Sequence, residues 1–158
     1  MAITTVSRRE TSVEAQESGL RELGSHLVFP GRILFSLIFI FSGLGHFSRE
    51  TIAYAAQKGL PMSGILTPVT GLLAVLGGLS ILFGYRARIG ALFLIAFLVP
   101  VTLFMHNFWA IQDPMEAQAQ FVHFLKNIAM LGAAFMILYF GAGPTSIDEK
   151  MGREAPTP

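Results

Sequence analysis

Three of the four histidines sit at the margins of apolar stretches: His46 and His106 where two of them end, His123 near the start of another. Each has polar companions at helical spacing. Ser42, His46 and Arg49 are related by four and seven residues, and Thr102, His106 and Trp109 repeat that spacing. Glu116, Gln120, His123 and Asn127 follow at four, seven and eleven, with Lys126 beside them. Residues so spaced share one face of a helix, so three helices should each carry a polar stripe. An imidazole both donates and accepts hydrogen bonds. Beside an aromatic ring it suits a small ligand with a polar head, such as a quinone. In that case His106 or His123 would bond a carbonyl while Trp109 or Phe108 packs on the ring. The same groups could instead join helices through hydrogen bonds of about 1–2 kcal/mol or less. Haem or a metal held by two histidines is a third option, but no HxxxH or HExxH spacing supports it. His26 lies in a polar terminal segment and carries no such pattern.

Composition narrows the chemistry further. The chain has no Cys, which removes disulfide relay, thiol catalysis, c-type haem attachment and Cys-ligated iron–sulfur clusters. Its net charge of +1 gives no reason to expect nucleic acid as a partner. Of the 158 residues, 53% are hydrophobic and only 13% charged, about half the charge of a soluble domain.

The charges avoid four stretches altogether: Ile33–Ser48, Gly59–Tyr85, Ile89–Gln112 and Asn127–Ile147. About 20 apolar residues span a hydrocarbon core. The expected fold is therefore all-α, an integral membrane four-helix bundle with a short interfacial helix between spans one and two. A water-soluble enzyme is excluded.

Three regions follow. Met1–His26 is a polar tail, either frayed or carrying an amphipathic helix through Leu23 for which Thr11-Ser12-Val13-Glu14 reads as a capping box. Residues 27–148 form the four-span membrane domain, and 149–158 a second tail. Span one should begin near Pro30, a residue suited to a first helical turn, with Arg32 snorkelling to the headgroups. Ser48 can cap the interfacial helix, which Lys58 and Gly59 close. Span two should run over 67–83 and span three over 89–109, with Pro100 inside it. Asp113-Pro114-Met115-Glu116 supplies a cap for span four, and Gly141 should stop it. Ala74-xxx-Gly78, Ser80-xxx-Gly84 and Ala129-xxx-Ala133 are small-residue pairs of the kind that let helices approach closely in lipid.

Orientation follows from Lys and Arg. With the N-terminus inside, the inner segments hold Arg8, Arg9, Arg21, Arg32, Arg86, Arg88, Lys150 and Arg153, eight in all. The outer segments hold three: Arg49, Lys58 and Lys126. Both termini are thus expected in the cytoplasm, and the three histidines in the outer half of the bundle.

From about Leu27 to Asp148 the chain resembles the DoxX family of small four-span bacterial membrane proteins. The likeness rests on Gly31-Arg32, Gly43 with His46-Phe47, Lys58-Gly59-Leu60-Pro61, Gly77-Gly78 and Gly84-Tyr85-Arg86-Ala87-Arg88. It continues through His106-Asn107-Phe108-Trp109, His123-Phe124-Leu125-Lys126-Asn127, and Gly141-Ala142-Gly143-Pro144 with Ser146-Ile147-Asp148. The resemblance implies a bacterial inner-membrane subunit or accessory of an oxidoreductase or electron-transfer complex, rather than an enzyme on its own. Expected partners are the bilayer and other membrane subunits of such a complex. Quinone is the expected small molecule; the alternative is a non-catalytic assembly subunit docking a larger complex. His46, His106, Trp109, His123, Lys126 and Asn127 are the expected ligand or partner contacts, with no catalytic or metal-binding residue assigned. In one place the chain departs from the resemblance: many members carry a Glu three residues before the paired glycines, where this chain has Ala74.

Overall fold

In the computed structural model, which describes residues 2–153, side chains are described from Gly24 onward and at Gln16, Ser18 and Gly19. The expected capping interactions of Thr11–Glu14 lie outside the described side chains. Six α-helices follow in order: α1 (Ala2–Gly45), α2 (Arg49–Gln57), α3 (Ser63–Phe83), α4 (Ala87–Met105), α5 (Pro114–Phe140) and α6 (Ile147–Lys150). A single 3-10 turn, Phe108–Ala110, separates α4 from α5. Four segments are long and apolar enough to cross a bilayer: Gly24–Gly45, Ser63–Phe83, Ala87–Ala110 and Pro114–Phe140. The chain is an all-helical membrane protein with four spanning helices.

Local chemistry explains most boundaries. The Ser48 hydroxyl accepts the Thr51 amide at 3.1 Å to start α2. The Asp113 carboxylate accepts the Glu116 amide at 2.8 Å to start α5, with Pro114 at the first position. Gly141 ends α5 at φ 85°, a conformation that suits glycine. Three boundaries differ from expectation. α4 ends at Met105, four residues before the expected Trp109, which lies in the 3-10 turn. α1 does not begin at Pro30 but runs through it from Ala2. A proline inside a helix removes one backbone bond, and Pro30 lies at the polar edge of the span, where such a loss is tolerated. α3 begins at Ser63, four residues before the expected Thr67, with Pro68 in its opening turns.

Small residues set how the helices meet. α1 packs on α3, α3 on α4 and α4 on α5, while α2 lies against α3. At the α1–α3 crossing, a Cβ on Gly43 would lie 2.8 Å from the Gly71 carbonyl oxygen. One on Gly71 would lie 2.7 Å from that of Gly43. Gly77 and Gly90 face each other across α3–α4 in the same way. Such close approach is how helices associate where lipid removes the hydrophobic drive. Phe39, Ala74, Ile81, Leu94, Phe97 and Leu98 fill the core between them. Ala74 is fully buried and lies at the Gly43 contact. The position where the resemblance leads one to expect a Glu is thus a close helix contact here, and a Glu would force α1 off α3.

One end of the bundle is tied by polar groups. Arg32 is buried, not snorkelled, because its guanidinium donates to the Thr145 carbonyl at 2.6 Å and the Ala142 carbonyl at 3.3 Å. These carbonyls follow the C-terminus of α5, where the helix dipole favours a cation. Asp148 answers from the other side. Its buried carboxylate accepts the Arg86 and Ala87 amides at 2.9 and 3.0 Å, capping α4, whose N-terminus otherwise has no side-chain cap. The Asp148 amide donates to the Gly84 carbonyl at 2.8 Å. Gly84 has φ 61°, and a Cβ there would overlap Arg32 Nη1 and Ser146 Cβ. The exposed Tyr85 phenol is held below its ordinary pKa, first by the hydrogen bond with Arg153 and then by the charge of Arg86. Arg32, the Gly84–Arg88 turn and the segment after Gly141 therefore form one knot.

α5 is the loosest member. Among the described residues it packs closely on α4 but not on α1. Between α1 and α5 runs a groove of about 250 Å³, lined by Val28, Phe35, Ala133, Met136 and Ile137 with Arg32 at its base.

Candidate functional site

At the end opposite the knot, α1 stops at Gly45 and His46 follows in the turn. The His46 Nδ1 lies 2.7 Å from the Ser42 carbonyl oxygen. A carbonyl only accepts, so Nδ1 carries the proton and donates. The ring meets Phe97 edge-on, with centroids 5.6 Å apart. His46 is also a wall of a partly open cavity of about 230 Å³ bounded by the turn after α1 and by α2, α3 and α4. Ala55 and Leu60 close it from the α2 side, Leu66 from α3, and Pro100, Val101, Phe104 and Met105 from α4. Its polar lining is sparse: His46, Thr51, Thr67 and Thr70. Thr70 donates to the Thr67 carbonyl at 2.8 Å. The Thr67 hydroxyl is buried and has no hydrogen-bond partner among the described residues. A buried hydroxyl left unbonded is costly; Thr67 shares that state with Ser36 on α1, and of the two only Thr67 belongs to this cavity.

The other two imidazoles form a separate cluster between α4 and α5. His106 and His123 stack with centroids 5.4 Å apart and planes 26° from parallel. The His106 Nδ1 donates to the Gln120 side-chain oxygen at 2.8 Å, and the Lys126 ammonium donates to His123 Nδ1 at 3.3 Å. Each ring is thus held by a polar neighbour. His123 and Lys126 lie on the exposed side of α5, whereas Asn127 is buried. The stripe on α5 therefore splits: Asn127 turns in and its neighbours turn out. Trp109 is exposed and packs against Phe108 and Phe124. Phe108 is itself surrounded by Trp109, Phe121 and Phe124, with centroids 5.0–5.4 Å apart. Lys58, beyond α2, reaches Glu116 on α5 at 3.6 Å and links the two halves of this end.

All three histidines therefore share one end, but only two meet. His106 and His123 pair, and His46 turns to Phe97 and the threonines of α3. Two of the three expected stripes break: His46 and Arg49 lie beyond the end of α1, and His106 and Trp109 beyond the end of α4, so only the α5 stripe sits on one helix. Thr67 and Thr70 are three apart on α3, and that spacing was the available signal for the cavity wall. Phe97 and Thr51 carry no signal in the sequence that marks them. Among the described residues no group of three His, Asp or Glu is arranged to hold a metal ion.

Comparison with known proteins gives a consistent set of relatives. A family model described as DoxX matches residues 27–107, a range that contains every residue lining the His46 cavity. The inner membrane protein YqjF of Escherichia coli (strain K12) is 30% identical over 129 residues, covering 80% of this chain and 93% of that protein. The inner membrane protein YphA of the same organism is 25% identical over 78% of this chain and 89% of its own length. The ER-derived vesicles protein ERV29 of Saccharomyces cerevisiae is 24% identical over 79% of this chain, but over only 34% of its own length. No solved structure matches the chain.

Proposed function

Because the chain belongs to the DoxX family and is an inner-membrane protein with four spanning helices, we propose that it is an accessory or subunit of an oxidoreductase system that holds a quinone ring. The ring sits in the His46 cavity, and the redox chemistry rests with a partner. The observation that carries this reading is the cavity itself: apolar walls, one imidazole and one unbonded buried hydroxyl. Small-molecule sites have this character, with few polar groups placed to orient the ligand. A cavity of about 150 Å³ already holds benzene, so about 230 Å³ accepts one substituted ring. Leu66 and Phe104 line the cavity and also face outward, giving an apolar tail a way into the lipid. His106, Trp109, His123 and Lys126, exposed or half-buried nearby, form the rim a redox partner would meet, with buried Asn127 fixing α5 beneath them.

In this reading the His106 end faces outward and both termini lie in the cytoplasm, as the Lys and Arg distribution favours. The test is organic extraction of the protein purified in mild detergent. The wild type is expected to release close to one isoprenoid quinone per chain, and Thr67→Val or His46→Leu at least fivefold less at unchanged helicity. Unchanged quinone in both variants would sink the cavity. A single cysteine at Lys58, in a chain with none of its own, should label from outside and one at Arg86 should not.

A second reading has its own support. The groove between α1 and α5 leaves α5 poorly covered, as expected of a subunit that docks a neighbouring helix in a larger complex. Under it, a stoichiometric partner would copurify, and crosslinkers in the groove at Ala133 or Met136 would capture it.

A further inference from the structure

Resting on the quinone reading above, we infer that the His46 cavity selects the reduced, hydroxyl-bearing form of the ring over the oxidised dicarbonyl form. The argument starts from one hydrogen bond. A neutral imidazole has one N–H and one bare nitrogen. Ser42 contributes a carbonyl oxygen 2.7 Å from Nδ1, and since that oxygen can only accept, the single proton of the neutral ring sits on Nδ1. Nε2 is left as a lone pair, with no partner among the described residues, on a ring that lines the cavity.

A lone pair needs a donor. A hydroquinone supplies an O–H, and the pair forms a hydrogen bond away from water. A quinone supplies a carbonyl, which sets lone pair against lone pair and leaves both unbonded in an apolar cavity. Unbonded buried polar atoms are the costly case, and sites built around a hydrogen bond reject analogues that lack its donor far more strongly than they discriminate by size.

The other polar wall makes no such choice. The Thr67 hydroxyl can donate or accept, so toward a ring that reaches it an O–H and a C=O are equivalent. Thr67 therefore does not discriminate. Thr70 gives its O–H to the Thr67 carbonyl and is left to accept, whereas Thr51 accepts from Ser48 and can still donate. With these two opposed, the preference rests on His46. No electron or proton transfer is required of this chain: it retains one redox state of a carrier that another protein oxidises or reduces.

The experiment is anaerobic calorimetric titration of the full chain in lipid nanodiscs with decylubiquinone and, separately, decylubiquinol. The reduced form is expected to bind at least tenfold tighter. His46→Gln, whose amide offers both a donor and an acceptor, should erase the preference, and Thr67→Val should weaken both forms by a similar factor. Equal binding of the two forms by the wild type, or tighter binding of the oxidised form, overturns the inference and leaves the quinone reading standing. Binding of neither form overturns that reading and the inference with it. The wild-type comparison needs no variant to fold.

Discussion

Gly71→Ala is expected to cost the fold about 1–3 kcal/mol or more, a large effect for one methyl group, and to abolish quinone retention. Its Cβ would lie 2.7 Å from the Gly43 carbonyl oxygen and 2.6 Å from His46 Cβ. The first is backbone and cannot rotate away. The second carries the imidazole that lines the cavity. To admit the methyl, α1 must slide from α3, and the turn after Gly45 must move with it. Gly64→Ala is the control, since a Cβ there meets nothing within 4 Å. Alanine is the better helix former in an open position, so that change should leave stability equal or slightly raised. Thermal melts in detergent and quinone extraction on the same samples give both readouts. A Gly71→Ala protein that melts and binds like Gly64→Ala would show that the α1–α3 contact does not position His46.

Asp148→Ala is expected to release the C-terminal segment at a cost of about 2 kcal/mol or more. The carboxylate is buried and caps α4 through the Arg86 and Ala87 amides. Losing an N-cap costs about 0.5–2 kcal/mol, and amides left buried without partners add about 1–3 kcal/mol. Asp148 also pairs with Arg153 at 3.8 Å, but Arg153 is partly exposed and the distance long, so the pair adds little. The loss should spread to Arg32, whose carbonyl partners at Ala142 and Thr145 lie on the same segment. Trypsin cleavage at Lys150 should quicken markedly in Asp148→Ala and less in Asp148→Asn, which keeps one acceptor oxygen. Equal cleavage in all three proteins would mean that Asp148 does not hold the segment.

Much of the architecture could be read from local rules. The spans follow from charge-free length, α2 from the Ser48 cap, and the limits of α5 from Asp113, Pro114 and Gly141, because each signal lies within a few residues of what it controls. Features decided at a distance were not readable. Pro30 looks like a helix start in its own neighbourhood, yet α1 passes through it. Arg32 looks like a snorkelling side chain until its partners, more than a hundred residues later, are folded against it. The histidines show the same limit more finely. Their order along the chain places them all at one end of the bundle, but azimuth around a helix axis depends on packing. Gly43 against Gly71 turns His46 toward α3 and α4. The pairing of His106 with Gln120 turns that ring toward α5. Thr67 becomes notable only when its hydroxyl is seen buried without a partner.

Photolabelling tests the assignment of the ligand to this cavity most directly. Nanodisc-embedded protein would be irradiated with an azido-substituted ubiquinone and the labelled peptides mapped by mass spectrometry. Label is expected on the segments that wall the His46 cavity, at Thr51–Thr70 and Pro100–Met105, and should be displaced by excess unlabelled quinol. Label confined to Val28–Phe35 and Ala133–Ala142 would put the ring in the groove between α1 and α5 and contradict the account.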